Sequence, residues 1–281
     1  MLYPSIDVLF NRNPITHKLI TGDYTNEIFS LIKEWEWTEK IDGTNIRVVY
    51  NPPEVKDLDV GHTGYVTVER QAMKIGGRTE NAQLPMGVVD YIQSKLHVDN
   101  LYGVFGRKNA VIFGEGYGDN IHCGNEYIAA DDPIRQKFIV FDILIGGEYW
   151  LKRENVVGIC KKLGLDVVPL IISDSNIMYQ PGIYQQGTES FSFSKGSLPV
   201  GKYIPLYVQD IRHTALNLVK EGFKSKLGDG TKDAEGLVGR TRIPLFDAKH
   251  RRIIVKLRTE DFEGTIGKKK KRNQIGSGEE V

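Results

Sequence analysis

Six short runs rich in β-branched and aromatic residues mark this chain, at 45–50, 65–69, 111–115, 138–143, 237–240 and 252–257. Crossover helices do not separate them regularly, which predicts an α+β fold built on antiparallel sheets. In the first run Ile46, Val48 and Tyr50 alternate with Asn45, Arg47 and Val49, and Pro52 and Pro53 end it. Helices are predicted at 88–96, at 153–163 with Gly164 as the stop, and at 208–221 before Gly222. One more is predicted upstream. Asn26 caps it, Ile28, Leu31, Ile32 and Trp35 recur at helical spacing, and it ends just before Lys40.

With 281 residues, 40% hydrophobic and 26% charged, the chain reads as a soluble globular protein with one domain over 1–262. Thirty-seven basic and 36 acidic residues leave a net charge of +1, so any nucleic-acid surface must be a local patch. The segment 263–281 holds Lys268, Lys269, Lys270, Lys271 and Arg272 and reads as a mobile basic tail suited to phosphate contacts. Residues 173–206 show no clear period and read as an irregular surface excursion.

Cys123 and Cys160 have neither disulfide-framework nor zinc spacing, which fits a reducing, cytoplasmic setting. The N-terminus lacks a leader pattern, no apolar run is long enough to span a bilayer, and no obligate protein partner is evident.

The string T-E-K-I-D-G-T-N at 38–45 sets Lys40 just before a tight Asp42-Gly43 turn. A lysine attacks phosphorus only as the neutral amine, whereas its ordinary pKa is about 10.4. A bound metal and the neighbouring Lys256 would both disfavour the protonated form. In F-G-E-G (113–116) the glycines permit close backbone approach, and the Glu115 carboxylate can accept a hydrogen bond from a ribose hydroxyl. The run Gly114 to Gly118 is not a phosphate loop, because a carboxylate at its centre repels phosphate and no helix opens after it.

Phe141 lies in the apolar run F-I-V-F-D-I (138–143), where core packing is its plain reading. Glu235 opens E-G-L-V-G-R (235–240) and suits magnesium, which commonly takes only one or two protein carboxylates besides phosphate and water. In I-I-V-K-L-R (253–258), Lys256 and Arg258 share one face of a strand and would clamp phosphate. The six histidines form no metal spacing, and neither a G-x-S-x-G nor a Walker-type motif occurs.

Together, five segments in this order resemble the covalent nucleotidyltransferase superfamily of ATP-dependent RNA and DNA ligases and GTP-dependent capping enzymes. The resemblance spans 38–258. K-I-D-G-T-N and G-G-R-T-E-N-A-Q (76–83) look like the RNA ligases of phage and RNA-editing systems. It implies a nucleotidyltransferase (adenylyltransferase) domain without a C-terminal OB-fold, ATP as AMP donor with Mg2+ or Mn2+, and RNA ends or nicked nucleic acid as partner.

In that family Lys40 would take AMP from ATP, pass it to a 5′-phosphate, and a 3′-hydroxyl would then displace it. The resemblance makes Glu115 the ribose contact, Phe141 the purine stack, Asp142 a structural residue and Glu235 the metal ligand. It sets Glu39 at the purine pocket through its backbone rather than its carboxylate. Asn45 and Arg78 would contact the terminal nucleotide or its phosphate, with Arg70 as the rival of Arg78. Arg258 departs from the lysine usual at its position; it binds phosphate bidentately but cannot be deprotonated.

DNA ligases and capping enzymes normally carry an OB-fold after the last of these segments, yet 23 residues follow Arg258 here. A non-catalytic RNA-binding module has no need of Lys40, Glu115 and Glu235 together.

Overall fold

Two sheets face each other, and each is backed by its own helices and core. The computed structural model describes residues 2–52, 54–56, 66–68, 72–122, 124–173 and 211–263. The strands are β1 (Asp7–Val8), β2 (Phe10–Arg12), β3 (Leu19–Tyr24), β4 (Trp35–Lys40), β5 (Thr44–Tyr50), β6 (Glu54–Lys56), β7 (Val66–Val68) and β8 (Met73–Gly77). They continue as β9 (Ala110–Gly118), β10 (Gln136–Ile145), β11 (Tyr149–Trp150), β12 (Asp166–Val167), β13 (Leu170–Ile172), β14 (Gly236–Thr241) and β15 (Ile254–Arg258). The helices are α1 (Ile28–Leu31), α2 (Met86–Lys95), α3 (Val98–Phe105), α4 (Arg153–Leu163), α5 (Ile211–Glu221) and α6 (Glu260–Glu263).

One sheet has the order β1-β15-β14-β4-β13 and the other β11-β10-β9-β5-β8, with β12 added beside β10. All neighbours are antiparallel except β1 on β15 and β12 on β10. The expected mixture of helices with antiparallel sheets is therefore present. The excursion expected at 173–206 lies outside the described residues except for Ser173, and so does the tail except for Glu263.

The helix expected to lead into Lys40 is a correction. Only Ile28–Leu31 is helical, and Trp35 starts a strand. The run W-E-W-T-E-K alternates, so Trp35 and Trp37 fall on one face, buried at 1% and 0% exposure, and the 3.6-residue spacing was coincidental. By contrast α4 has the predicted limits, and Gly164 supplies the left-handed stop at φ 65° that other residues adopt only with strain.

Period-two alternation explains why a cleft forms between the sheets. Ile46, Val48, Ile112, Phe138 and Val140 point away from it into a core shared with Val88, Ile92, Leu101 and Val156 of the covering helices. On the other sheet Trp35, Trp37, Leu237, Val255 and Leu257 point away into a second core with Ala215 and Val219 of α5. The intervening residues are left to face each other. These are Asn45, Arg47, Phe113, Glu115 and Ile139 on one side, and Thr38, Lys40, Val238, Arg240, Lys256 and Arg258 on the other. A third, smaller cluster of Ile41, Tyr117, Tyr127, Ile128, Ile139 and Val168 fills part of this space.

Candidate active site

Lys40 ends β4, directly opposite Gly236 at the start of β14. That register brings its amine to Glu235, with Nζ 2.6 Å from Oε2, and each side chain is about a quarter exposed. In β15, Lys256 is opposite Val238 and Arg258 opposite Gly236, so both cations stand on the cleft face with β14 between them and the Lys40 strand. The Lys256 amine is held below the ordinary lysine value, first by burial and then by the charges of Arg258 and Lys40.

From the facing sheet come Asn45 and Glu115, which are directly opposite each other on β5 and β9. Burial pushes the Glu115 carboxyl up to about 8; the charge of Lys40 opposes this, and those of Glu235 and Asp42 reinforce it. At neutral pH Glu115 therefore largely keeps its proton and can donate as well as accept. The turn between the sheets is packed tightly against it. A Cβ on Gly43 would lie 2.3 Å from the Gly116 carbonyl oxygen and 2.9 Å from Glu115 Cγ. The Asp42 amide donates to Tyr127 Oη at 3.1 Å, and the Lys232 amine lies 4.8 Å from the centre of that tyrosine ring.

Three expected residues have more particular surroundings. Glu39 is 2% exposed; its carboxylate accepts from Ser225 Oγ and, at 2.9 Å, from the Lys226 amide, while its own amide donates to Pro169. That carboxylate therefore anchors a loop. Arg78 is exposed just after β8, close enough for its charge to act on both Glu115 and Lys256. Its rival Arg70 lies outside the described residues. The Arg258 guanidinium is drawn to carboxylates, pairing with Glu260 and, at 3.0 Å, with the fully buried Asp261, which also binds Arg12 at 2.5 Å.

Phe141 falls at a β-bulge between Val140 and Asp142, so it is freed from the regular ladder. Its ring meets Tyr3 edge-on, with centroids 4.8 Å apart, and the Arg240 guanidinium lies 5.6 Å from its centre. Asp142, 1% exposed, accepts from Tyr3 Oη at 2.9 Å and pairs with Arg252 and Arg240. Tyr3, Arg240 and Arg252 are the residues the sequence reading missed. Tyr3 and Asp142 are 139 positions apart and Arg252 and Asp142 are 110, so no local spacing could have joined them.

Among the described residues no group of three or more His, Cys, Asp or Glu gathers as a metal centre. The Glu235 carboxylate, about a quarter exposed at the cleft beside Lys40, nonetheless suits an oxygen-preferring cation that takes its other ligands from phosphate and water. No helix among the described residues is long and apolar enough to cross a membrane.

A family model described as RNA ligase matches residues 33–258. No curated protein matches the sequence. Among solved structures, Naegleria gruberi RNA ligase with PPi is 16% identical, with 97% of this chain and 63% of that chain covered and a TM-score of 0.50. A glutamate-to-alanine mutant of the same ligase with ATP and Mn gives 14% identity, 91% and 60% coverage, and a TM-score of 0.51. At these identities the likeness concerns the fold. The chain spans about three fifths of the length of that ligase.

Proposed function

The chain belongs to the RNA ligase family, and from that premise we propose that it joins RNA 3′-hydroxyl and 5′-phosphate ends with ATP as the AMP donor. The observation that carries this reading is the placement of Lys40. Its amine stands at the cleft between two sheets, paired with Glu235, flanked by Lys256 and within electrostatic reach of Glu115.

In the first step Lys40 Nζ forms a bond to the α-phosphorus of ATP, the bond to the β-phosphate oxygen breaks, and pyrophosphate leaves with that electron pair. The amine sheds its protons in doing so. AMP then passes to an RNA 5′-phosphate, and the 3′-hydroxyl of the other end displaces AMP to make the phosphodiester. Glu115 contacts the ribose, Phe141 stacks on the purine, and Asn45 and Arg78 contact the terminal nucleotide or its phosphate.

Lys256 and Arg258 offset the charge that develops on phosphoryl oxygens, usually the dominant contribution in such transfers. Glu235 would hold Mg2+ or Mn2+. When bound, the ion supplies Lewis-acid polarisation of the phosphate. Glu235 must release Lys40 before the amine can attack.

The test is sealing by the purified protein of matched substrates with RNA or DNA at each end, after incubation with α-labelled ATP and magnesium. Sealing of RNA ends through a labelled protein adduct is expected, acid-labile and alkali-stable as a lysine–phosphorus bond is. A preference for all-DNA ends would replace this reading with a DNA ligase, and preferential labelling by GTP would replace it with a capping enzyme.

A further inference from the structure

We propose that Tyr3 is a positioning residue for ATP, holding the Phe141 ring in the orientation that accepts the purine. The proposal rests on the reading that Phe141 stacks on that base. The N-terminal arm touches both halves of the cleft. Asp7 and Val8 pair with Val255 and Lys256 on one sheet, while Tyr3 reaches the other sheet and enters a box of aromatic rings.

Within the box Tyr3 lies 5.1 Å from Phe113, 4.8 Å from Phe141 and 5.6 Å from Trp150, measured between ring centres. Its contact with Phe141 is T-shaped, with the ring planes at 67°. One face is approached by the Arg240 guanidinium at 5.6 Å.

The tyrosine is itself locked. Its hydroxyl donates to Asp142 at 2.9 Å and accepts from Arg240 at 3.4 Å, and Asp142 is held in turn by Arg252. This locking matters because Phe141 occupies the bulge, where strand pairing on either side does not fix it. Without Tyr3 the ring can turn into the space the tyrosine leaves. A T-shaped ring pair plus a part-buried hydroxyl hydrogen bond fixes a ring that meets the base and not the reacting phosphate, so its loss should show in ligand affinity.

The experiment is self-adenylylation of the full chain over a range of ATP concentrations, with the fraction of active protein titrated and a thermal melt recorded for each variant. Tyr3→Ala is expected to raise KM for ATP about fivefold or more while the rate at saturation changes little. Tyr3→Phe should fall between it and wild type. A residue that merely stabilises the fold would lower the melting temperature and the active fraction and leave KM of the surviving enzyme unchanged, and that result overturns the proposal. Should Tyr3→Ala not yield folded protein, Tyr3→Leu takes its place with the same expected rise.

Phe141→Ala separates the two ideas. If it raises KM and Tyr3→Ala does not, the positioning role fails and stacking stands. If Phe141→Ala leaves KM unchanged, both fail. In the double variant the loss of Tyr3 should add little to the loss of Phe141, because one acts through the other.

Discussion

Lys40 Nζ and Glu235 Oε2 are 2.6 Å apart, joined across neighbouring antiparallel strands although 195 positions separate them in the chain. The pair holds the amine in place and also engages it. Replacing Glu235 removes the partner and the candidate metal ligand together, so Glu235→Ala is expected to lower adenylate transfer or sealing by roughly tenfold or more, or about 1.4 kcal/mol of transition-state stabilisation. Rapid-quench assays on protein shown to be folded check this, and wild-type rates would refute the role. Lys40→Ala should abolish the labelled adduct; labelling that survives removes Lys40 as the nucleophile.

The raised Glu115 pKa makes stability depend on pH in a stated direction. Between the ordinary value of 4.5 and about 8 the native state holds a proton that the unfolded chain has released. The contribution is fully present below the lower value and is lost as pH rises through the upper one. Glu115→Gln, which resembles the protonated acid, should therefore melt with a smaller fall in Tm than wild type between pH 6 and about 9. Parallel curves for the two proteins would show that Glu115 is not so perturbed.

Asp142 is the buried counter-charge for two arginines. Asp142→Ala leaves Arg252 and Arg240 without it in a site that water barely reaches, and breaking a buried pair from one side typically costs about 3–5 kcal/mol. Urea unfolding measures the loss directly, and a loss below about 1 kcal/mol would mean that the arginines find water or new partners.

Gly43 offers a test of geometry alone. A methyl group there would overlap the Gly116 carbonyl oxygen, so Gly43→Ala must displace the turn that links Lys40 to the facing sheet. Overpacking of this kind costs about 1–3 kcal/mol, and adenylylation should fall further than the loss of folded protein explains. Activity per folded molecule equal to wild type would show that the turn yields without moving Lys40.

Local patterns in the sequence revealed much of this site, and distant pairings revealed little. Lys40, Glu115, Glu235 and Lys256 were recognisable because each sits in a short motif beside glycine or β-branched residues, and the structure brings them together. The α4 helix was legible to its last residue because Gly164 punctuates it. The approach to Lys40 was misread because Ile28, Leu31, Ile32 and Trp35 satisfy a helical period while tryptophan alternation dictates the strand. The roles of Tyr3, Arg252 and Asp261 as buried partners of distant side chains depend on tertiary contacts that no window along the chain contains. Arg258 shows the same limit: its face was predictable, whereas its capture by Asp261 and Glu260 was not.

Only Ile41, Asp42 and Gly43 separate the end of β4 in one sheet from the start of β5 in the other. This places the strictest demand on counting. Adding or deleting one residue in that crossing would turn Asn45 towards the helices and bring Ile46 into the cleft, reversing every side chain of β5 at once. A library of single-residue insertions should therefore leave a sharp gap over these positions, narrower than any gap a library of substitutions would leave.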